Sequence, residues 1–324
     1  MAEAVRSMCE DRSLSPDITI YMYTSYYGRH NPGNLKAVLR FKSFIRKGDF
    51  DEVFIHFTSK GSAVRASYYA EIAKKEGLRV VLRMHCTDWF YDKYMEESSF
   101  ARMRTDKLFQ CSDQIFVLSR KWAKRFEHLF GYPAVYCPNG IDNAEYNFNE
   151  NGKGILFLGK LVRDKGIFDL VDAAASLKSQ GTDIPVTIAG SGDGEKEIKS
   201  YAKGKGVDIH FPGWITGEEK KKALSNAKYL VLPSYHEGFP MVFLEGMASG
   251  CILIGTNVGA VPAIANVVIE PGDPEELAAT IKYFEDSEES ANRIIRRNRE
   301  RLKEFDIHRI NRKLLEYPSG GRDS

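Results

Sequence analysis

The feature that most narrows the fold of this chain is a series of short, almost unbroken apolar runs. They include EVFIHF at 52–57, RVVLRM at 79–84, GILFL at 154–158, KYLVLP at 228–233 and CILIGT at 251–256. Apolar runs without polar alternation suit strands covered on both faces, as when helices cross over a parallel sheet. Between the runs lie segments of helical spacing, such as 34–47 with Leu35, Val38, Leu39, Phe41 and Ile45, and 119–130 with Ser119 as N-cap. An earlier run, Ile18 to Tyr23, predicts a first strand, followed by the polar loop TSYYGRHNPG. The Asn-rich stretch 143–153 interrupts the pattern, and a second series begins after it. Two successive βαβ series predict an α/β chain of two Rossmann-like, doubly wound domains facing a central cleft, with domains at 1–147 and 148–299.

Composition sets outer bounds. The 324 residues suit about two domains, and 43% hydrophobic with 28% charged residues is ordinary for a soluble globular protein. A formal charge of +2 gives no reason to expect a nucleic-acid partner. No apolar run approaches the roughly 20 residues that span a bilayer. The start carries acidic residues and no apolar core, unlike a secretory signal. Five scattered cysteines with no C-x-x-C pair read as reduced thiols, so the expected location is cytoplasmic. The basic helix 34–47 and the arginines between 293 and 301 also suit peripheral contact with an anionic membrane, although solvated faces explain the same charges.

Three glycine-containing turns follow strands of the second series. YHEGFPMVFLEGMASG at 235–250 carries Glu237 in a Gly/Pro turn and Glu245 about two helical turns later. GKLVRDKG at 159–166 gathers Lys160, Arg163 and Lys165 near a helix start, where a diphosphate finds positive charge and exposed N–H groups. AGSGDG at 189–194 reads as a nucleotide-facing loop or a plain tight turn. In the first half, His85 ends a strand, as a loop histidine or a ligand-facing one. Asp49-Phe50-Asp51 has the form of a metal clamp but leads into a strand as an exposed turn. No metal site is expected. Two carboxylates also suit a glycosidase acid/base pair, but nothing else of a hydrolase accompanies them.

In their order and spacing, these segments resemble the retaining glycosyltransferases of family 4, with the GT-B fold. The likeness runs from about Asp51 onward and is strongest over 154–273, with TNVGAVP at 256–262 and PGDPEEL at 271–277 adding to it. The resemblance implies an N-terminal acceptor domain completed by a C-terminal helix, 300–324, that crosses back to it, and a second domain for the donor. It implies transfer from a UDP- or GDP-sugar, which is the donor substrate rather than a cofactor, to a glycan, lipid-linked or other hydroxyl acceptor, without a metal. Glu237, Lys165 and His85 would serve at the reacting centre. Glu245 would accept from the ribose, and Lys160 and Lys165 would hold the diphosphate. The backbone about Gly238, Phe239 and Pro240 would hold hydroxyls or phosphate, while Gly190 and Trp214 would flank the base. Lys160 stands where the family usually has arginine, which leaves a point charge in place of a bidentate donor. The short first half and Ala263, where the family often has glutamate, bear on the acceptor more than on the donor. A nucleotide-sugar epimerase of the same fold and a non-catalytic nucleotide-sugar-binding module are the alternatives.

Overall fold

The computed structural model describes residues 33–58, 60–96 and 98–317, with residues 10, 11, 14 and 20 before them. The expected strand 18–23 and loop 24–33 lie outside the described residues, apart from Ile20 and from Gly33, which begins the first helix. The chain divides into two compact units: residues 1–139 with 307–324, and residues 140–306.

Unit 1 alternates helices and strands: α1 (Gly33–Lys47), β1 (Glu52–Phe57), α2 (Lys60–Lys75), β2 (Arg79–Met84), α3 (Asp88–Lys93), α4 (Ser99–Cys111), β3 (Gln114–Val117), α5 (Arg120–Phe130) and β4 (Val135–Tyr136). The strands pair in parallel in the order β1-β2-β3-β4. Ser98 and Ser119 cap α4 and α5, each accepting from a backbone N–H three residues on, which supplies a partner to one of the orphan donors of a helix start. In α1, Ala37, Phe41 and Ile45 form the buried stripe, whereas Leu39, expected on it, is 69% exposed.

Unit 2 runs β5 (Ile155–Leu158), α6 (Ile167–Ser179), β6 (Val186–Ala189), α7 (Glu195–Gly204), β7 (Ile209–Gly213), α8 (Gly217–Asn226), β8 (Tyr229–Leu232), α9 (Met241–Ser249), β9 (Ile252–Thr256), α10 (Val261–Ile264), β10 (Val267–Ile269), α11 (Pro274–Asp286) and α12 (Glu288–Arg301). Its six strands are parallel, in the order β10-β9-β8-β5-β6-β7. The winding therefore reverses between β5 and β8, and in such sheets ligands bind at the carboxyl ends of the strands beside that reversal. The core is continuous across both faces of the sheet, with Phe157, Tyr229, Leu230, Phe243 and Ile254 fully buried. Helix α9 lies so close to the sheet that a Cβ on Gly246 would meet a Leu230 methyl at 2.4 Å.

The final helix, α13 (Ile307–Leu315), belongs to unit 1. Ile310, Leu314 and Tyr317 pack with Val81, Phe116, Val135 and Cys137, and the Arg79 guanidinium donates to the Tyr317 carbonyl at 2.9 Å. The return to unit 1 starts later than the expected residue 300, because α12 stays on unit 2, where Ile295 joins the core. Among the described residues, no helix is long and apolar enough to cross a membrane.

Candidate active site

The carboxyl ends of β5 and β8 each open into one of the turns singled out in the sequence. After β5, Arg163–Lys165 form one 3-10 turn that stops at Gly166 in the left-handed conformation (φ 65°). A Cβ on Gly166 would stand 1.9 Å from the Pro233 carbonyl oxygen, so only glycine permits the close approach of the two loops. The Tyr235 N–H donates to the Asp164 carbonyl at 2.9 Å and locks them together.

That contact places the Lys165 ammonium 2.5 Å from Glu237 Oε1. Ser234, fully buried, donates its hydroxyl to the same oxygen at 3.0 Å, and Thr256 in turn donates to the Ser234 carbonyl. One oxygen of Glu237 is thus held from two sides. Oε2 has no hydrogen-bond partner among the described residues. It keeps some accessible surface and so stays open to solvent. The loop is pinned from a third side by Gly259 (φ 56°), where a Cβ would lie 2.0 Å from the Glu237 carbonyl oxygen, and by the Ala260 N–H donating to the Gly238 carbonyl at 2.9 Å. Phe239 packs against the core. Pro240 begins α9 with no side-chain cap; the Phe243 N–H donates back to the Pro240 carbonyl at 3.0 Å, which leaves the N–H groups of Met241 and Val242 to a ligand or water.

Glu245, the second carboxylate, lies within α9 and is only 6% exposed. Lys220 of α8 donates to its Oε1 at 2.7 Å. Neither Lys220 nor Ser234 was singled out by sequence reasoning. The spacing P-S-x-x-E held a signal for Ser234, one turn from Glu237. Lys220 lies 25 positions from its partner and carries no local signal.

The three cations of GKLVRDKG do not act together. Arg163 is ion-paired with Glu197 and lies over the Phe168 ring at 4.5 Å, which turns it away from Glu237. Lys160 is exposed, with no ion pair to a described residue. The glycine loop 189–194 turns inward against the 159–165 loop. A Cβ on Gly190 would lie 1.8 Å from the Gly159 carbonyl oxygen, and one on Gly192 or Gly194 would press on the Leu161 carbonyl. Gly190 is buried and donates to the Gly213 carbonyl at 2.7 Å, so it seats the lysine-bearing loop. Trp214, just beyond β7, is 61% exposed.

His85 belongs to unit 1, just past β2. Its Nε2 lies 3.0 Å from Nδ1 of His56 on β1, with the rings stacked. Burial first, then the neighbouring Arg83, drives the His56 pKa down to about 3 and holds His85 well below the usual histidine range. Both rings are therefore neutral near pH 7, so one donates and the other accepts. Arg83 is fully sealed, and it donates to the Pro138 carbonyl at 2.8 Å and to Asn139 Oδ1 at 3.2 Å. His56 is a further residue that the sequence did not single out.

Comparison with known proteins agrees with this architecture. The family described as glycosyl transferases group 1 matches residues 140–301, and glycosyltransferase family 4 matches residues 10–145. The amylovoran biosynthesis glycosyltransferase AmsK of Erwinia amylovora is 25% identical over 315 residues, 90% of this chain and 76% of that protein. A glycogen synthase of Mycobacterium tuberculosis is 30% identical over 206 residues, which cover 59% of this chain and 50% of the relative. A Bacillus subtilis protein provisionally named as the teichuronic acid biosynthesis glycosyltransferase TuaC is 27% identical over 255 residues, 72% of this chain and 61% of that protein. The chain thus spans between half and two thirds of the length of these last two relatives. Among solved structures, Anabaena HepE in complex with UDP superposes with a TM-score of 0.73 at 17% identity, covering 87% of this chain and 81% of that one. Sucrose-phosphate synthase from Thermosynechococcus elongatus gives 0.69 at 19% identity, covering 90% and 79%. These superpositions assign the two-unit α/β fold to the GT-B class. With a parallel sheet that reverses between β5 and β8, and the matching family spread over residues 140–301, the chain belongs to the glycosyl transferases group 1 family.

Proposed function

We propose that this protein is a retaining glycosyltransferase that moves a sugar from a nucleoside diphosphate sugar to a hydroxyl acceptor, without a bound metal. The observation that carries the reading is the convergence of Lys165 and Glu237 at the carboxyl ends of β5 and β8, beside the reversal of strand order. Family membership favours sugar transfer, and HepE is recorded with UDP and with UDP-glucose, which favours a nucleotide-sugar donor.

The chemistry follows the charge. As the bond from the anomeric carbon to the diphosphate breaks, its electron pair goes to a phosphate oxygen. Lys165 and the exposed Lys160 stabilise the charge that grows there, and fixed cations in place before the reaction are the efficient way to do so. A diphosphate draws Lys165 from Glu237, which frees the carboxylate to position the sugar. The acceptor hydroxyl adds to the face that the diphosphate leaves, and its proton passes to the departing phosphate oxygen. Glu245 accepts from ribose hydroxyls, Trp214 flanks the base, and unit 1 takes the acceptor.

The test is incubation with UDP- and GDP-sugars and a panel of glycan and lipid-linked acceptors, with and without a chelator. Transfer with retained anomeric configuration, unaffected by chelation, is expected. Conversion of the donor into another nucleotide sugar without acceptor would identify an epimerase, and tight binding with no turnover a binding module.

A further inference from the structure

Glu245 presents an unusual problem for a helix packed against a sheet. Its neighbours along α9, from Phe243 to Ser249, are buried, and the carboxylate is sealed with them except for 6% of its surface. Burying a carboxylate is costly unless a counter-charge and hydrogen bonds accompany it. Three consecutive lysines, Lys220, Lys221 and Lys222, lie on α8, each turned about 100° from the last. Only Lys220 serves Glu245, at 2.7 Å, while Lys221 pairs with Glu145 and Glu218 on another face. The bond uses Oε1. Oε2 takes no hydrogen bond from any described residue and keeps some accessible surface, so this oxygen is reachable from outside.

We infer that Lys220 is the positioning residue of the nucleotide site: it fixes Oε1 of Glu245 so that Oε2 stands ready for the hydroxyls of a ribose. This rests on the reading of Glu245 as the ribose-facing carboxylate. A carboxylate offers only acceptors, and a ribose supplies two adjacent O–H donors, so the match is chemical as well as geometric. Lys220 touches no ligand in this scheme. It acts through Glu245 by choosing the side-chain rotamer and supplying the counter-charge, which makes it a determinant of ribose over deoxyribose.

The test measures dissociation constants by calorimetry for UDP, GDP and their 2′-deoxy forms, with wild type, K220M, K220R, E245Q and the K220M/E245Q double variant. Wild type should prefer ribose over deoxyribose on the order of tenfold, the usual effect of leaving a shielded acceptor unpaired. K220M should reduce that preference to about threefold or less, mainly by weakening the ribonucleotide, and K220R should keep most of it. Adding K220M to E245Q should leave the preference unchanged, and that background needs no counter-charge, so it remains informative if K220M alone folds poorly. A wild-type preference surviving in K220M, or equal weakening of ribo- and deoxyribonucleotides, overturns the role of Lys220. Wild type that binds a nucleotide without preferring ribose overturns the reading of Glu245, and wild type that binds neither UDP nor GDP overturns the donor site as a whole.

Discussion

Lys165 Nζ and Glu237 Oε1 stand 2.5 Å apart although 72 positions separate the two residues, and neither is more than a quarter exposed. The pair at Lys220 and Glu245 repeats the arrangement: in each, a lysine holds one carboxylate oxygen and leaves the other open. Each carboxylate is thus held by a lysine through one oxygen before any ligand arrives.

Lys165→Ala should reduce sugar transfer on the order of 10²–10³-fold, the usual loss when one preorganised charge partner is removed. Glu237→Ala should do the same, and the melting temperature should change little, because the site is part-exposed. Donor consumption resolved by chromatography reads this, and near-wild-type turnover in either variant would remove that residue from the reaction.

Gly166→Ala and Gly181→Ala form a matched pair. Both glycines have positive φ, 65° and 82°, so alanine costs about 1–2 kcal/mol at each for the conformation alone. Nothing lies within 4 Å of a Cβ at 181, whereas at 166 the Pro233 carbonyl is 1.9 Å away. The latter should cost about 1–3 kcal/mol more and should also remove activity by displacing Lys165. Denaturant midpoints and turnover of the two variants check this, and equal behaviour would refute it.

His56 should make stability fall in acid. Its pKa is depressed from about 6.5 unfolded to about 3 folded, chiefly by burial and then by Arg83. Between those values the unfolded chain binds the extra proton, so stability is complete above about pH 6.5 and declines as pH falls towards 3. The slope is at most about 1.4 kcal/mol per pH unit for each histidine, and His85, shifted in the same direction, adds to it. Urea unfolding at several pH values should show a shallower decline for His56→Phe than for wild type.

Leu314→Ala, at a fully buried position of α13, should cost about 2–5 kcal/mol. The loss should fall on unit 1. Hydrogen exchange should quicken at β2 and β3 and stay slow at β8 and β9.

Much of this was legible in the sequence, for reasons particular residues show. The apolar runs named the strands, because a strand covered on both faces has no polar positions to disguise it. Ser119 announced its helix by the rule that a hydroxyl caps a helix start. The meeting of the 159–166 and 235–250 segments followed from each lying after a strand of one doubly wound series. The partners Lys220 and His56 were not legible, since each depends on which helix or strand lies alongside. His56 meets His85 only because β1 and β2 pair Phe57 with Met84. Nor can a sequence distinguish a glycine cleared for a ligand from one cleared for another stretch of backbone. Gly190 is of the second kind, with the Gly159 carbonyl in the space a side chain would fill.

The return of α13 to unit 1 has a consequence for how the protein is made. Val81, Phe116 and Val135 emerge from the ribosome early, but Ile310 and Leu314, which cover them, are translated only after all of unit 2. At about 5–20 residues per second, the 167 residues from 140 to 306 take roughly 10–30 s. For that time the first sheet lacks the α13 side chains that pack on it, while unit 2 has its own sequence complete first. Unit 2 is therefore the part of the chain able to finish folding before unit 1, and the N-terminal unit waits for the C-terminal helix.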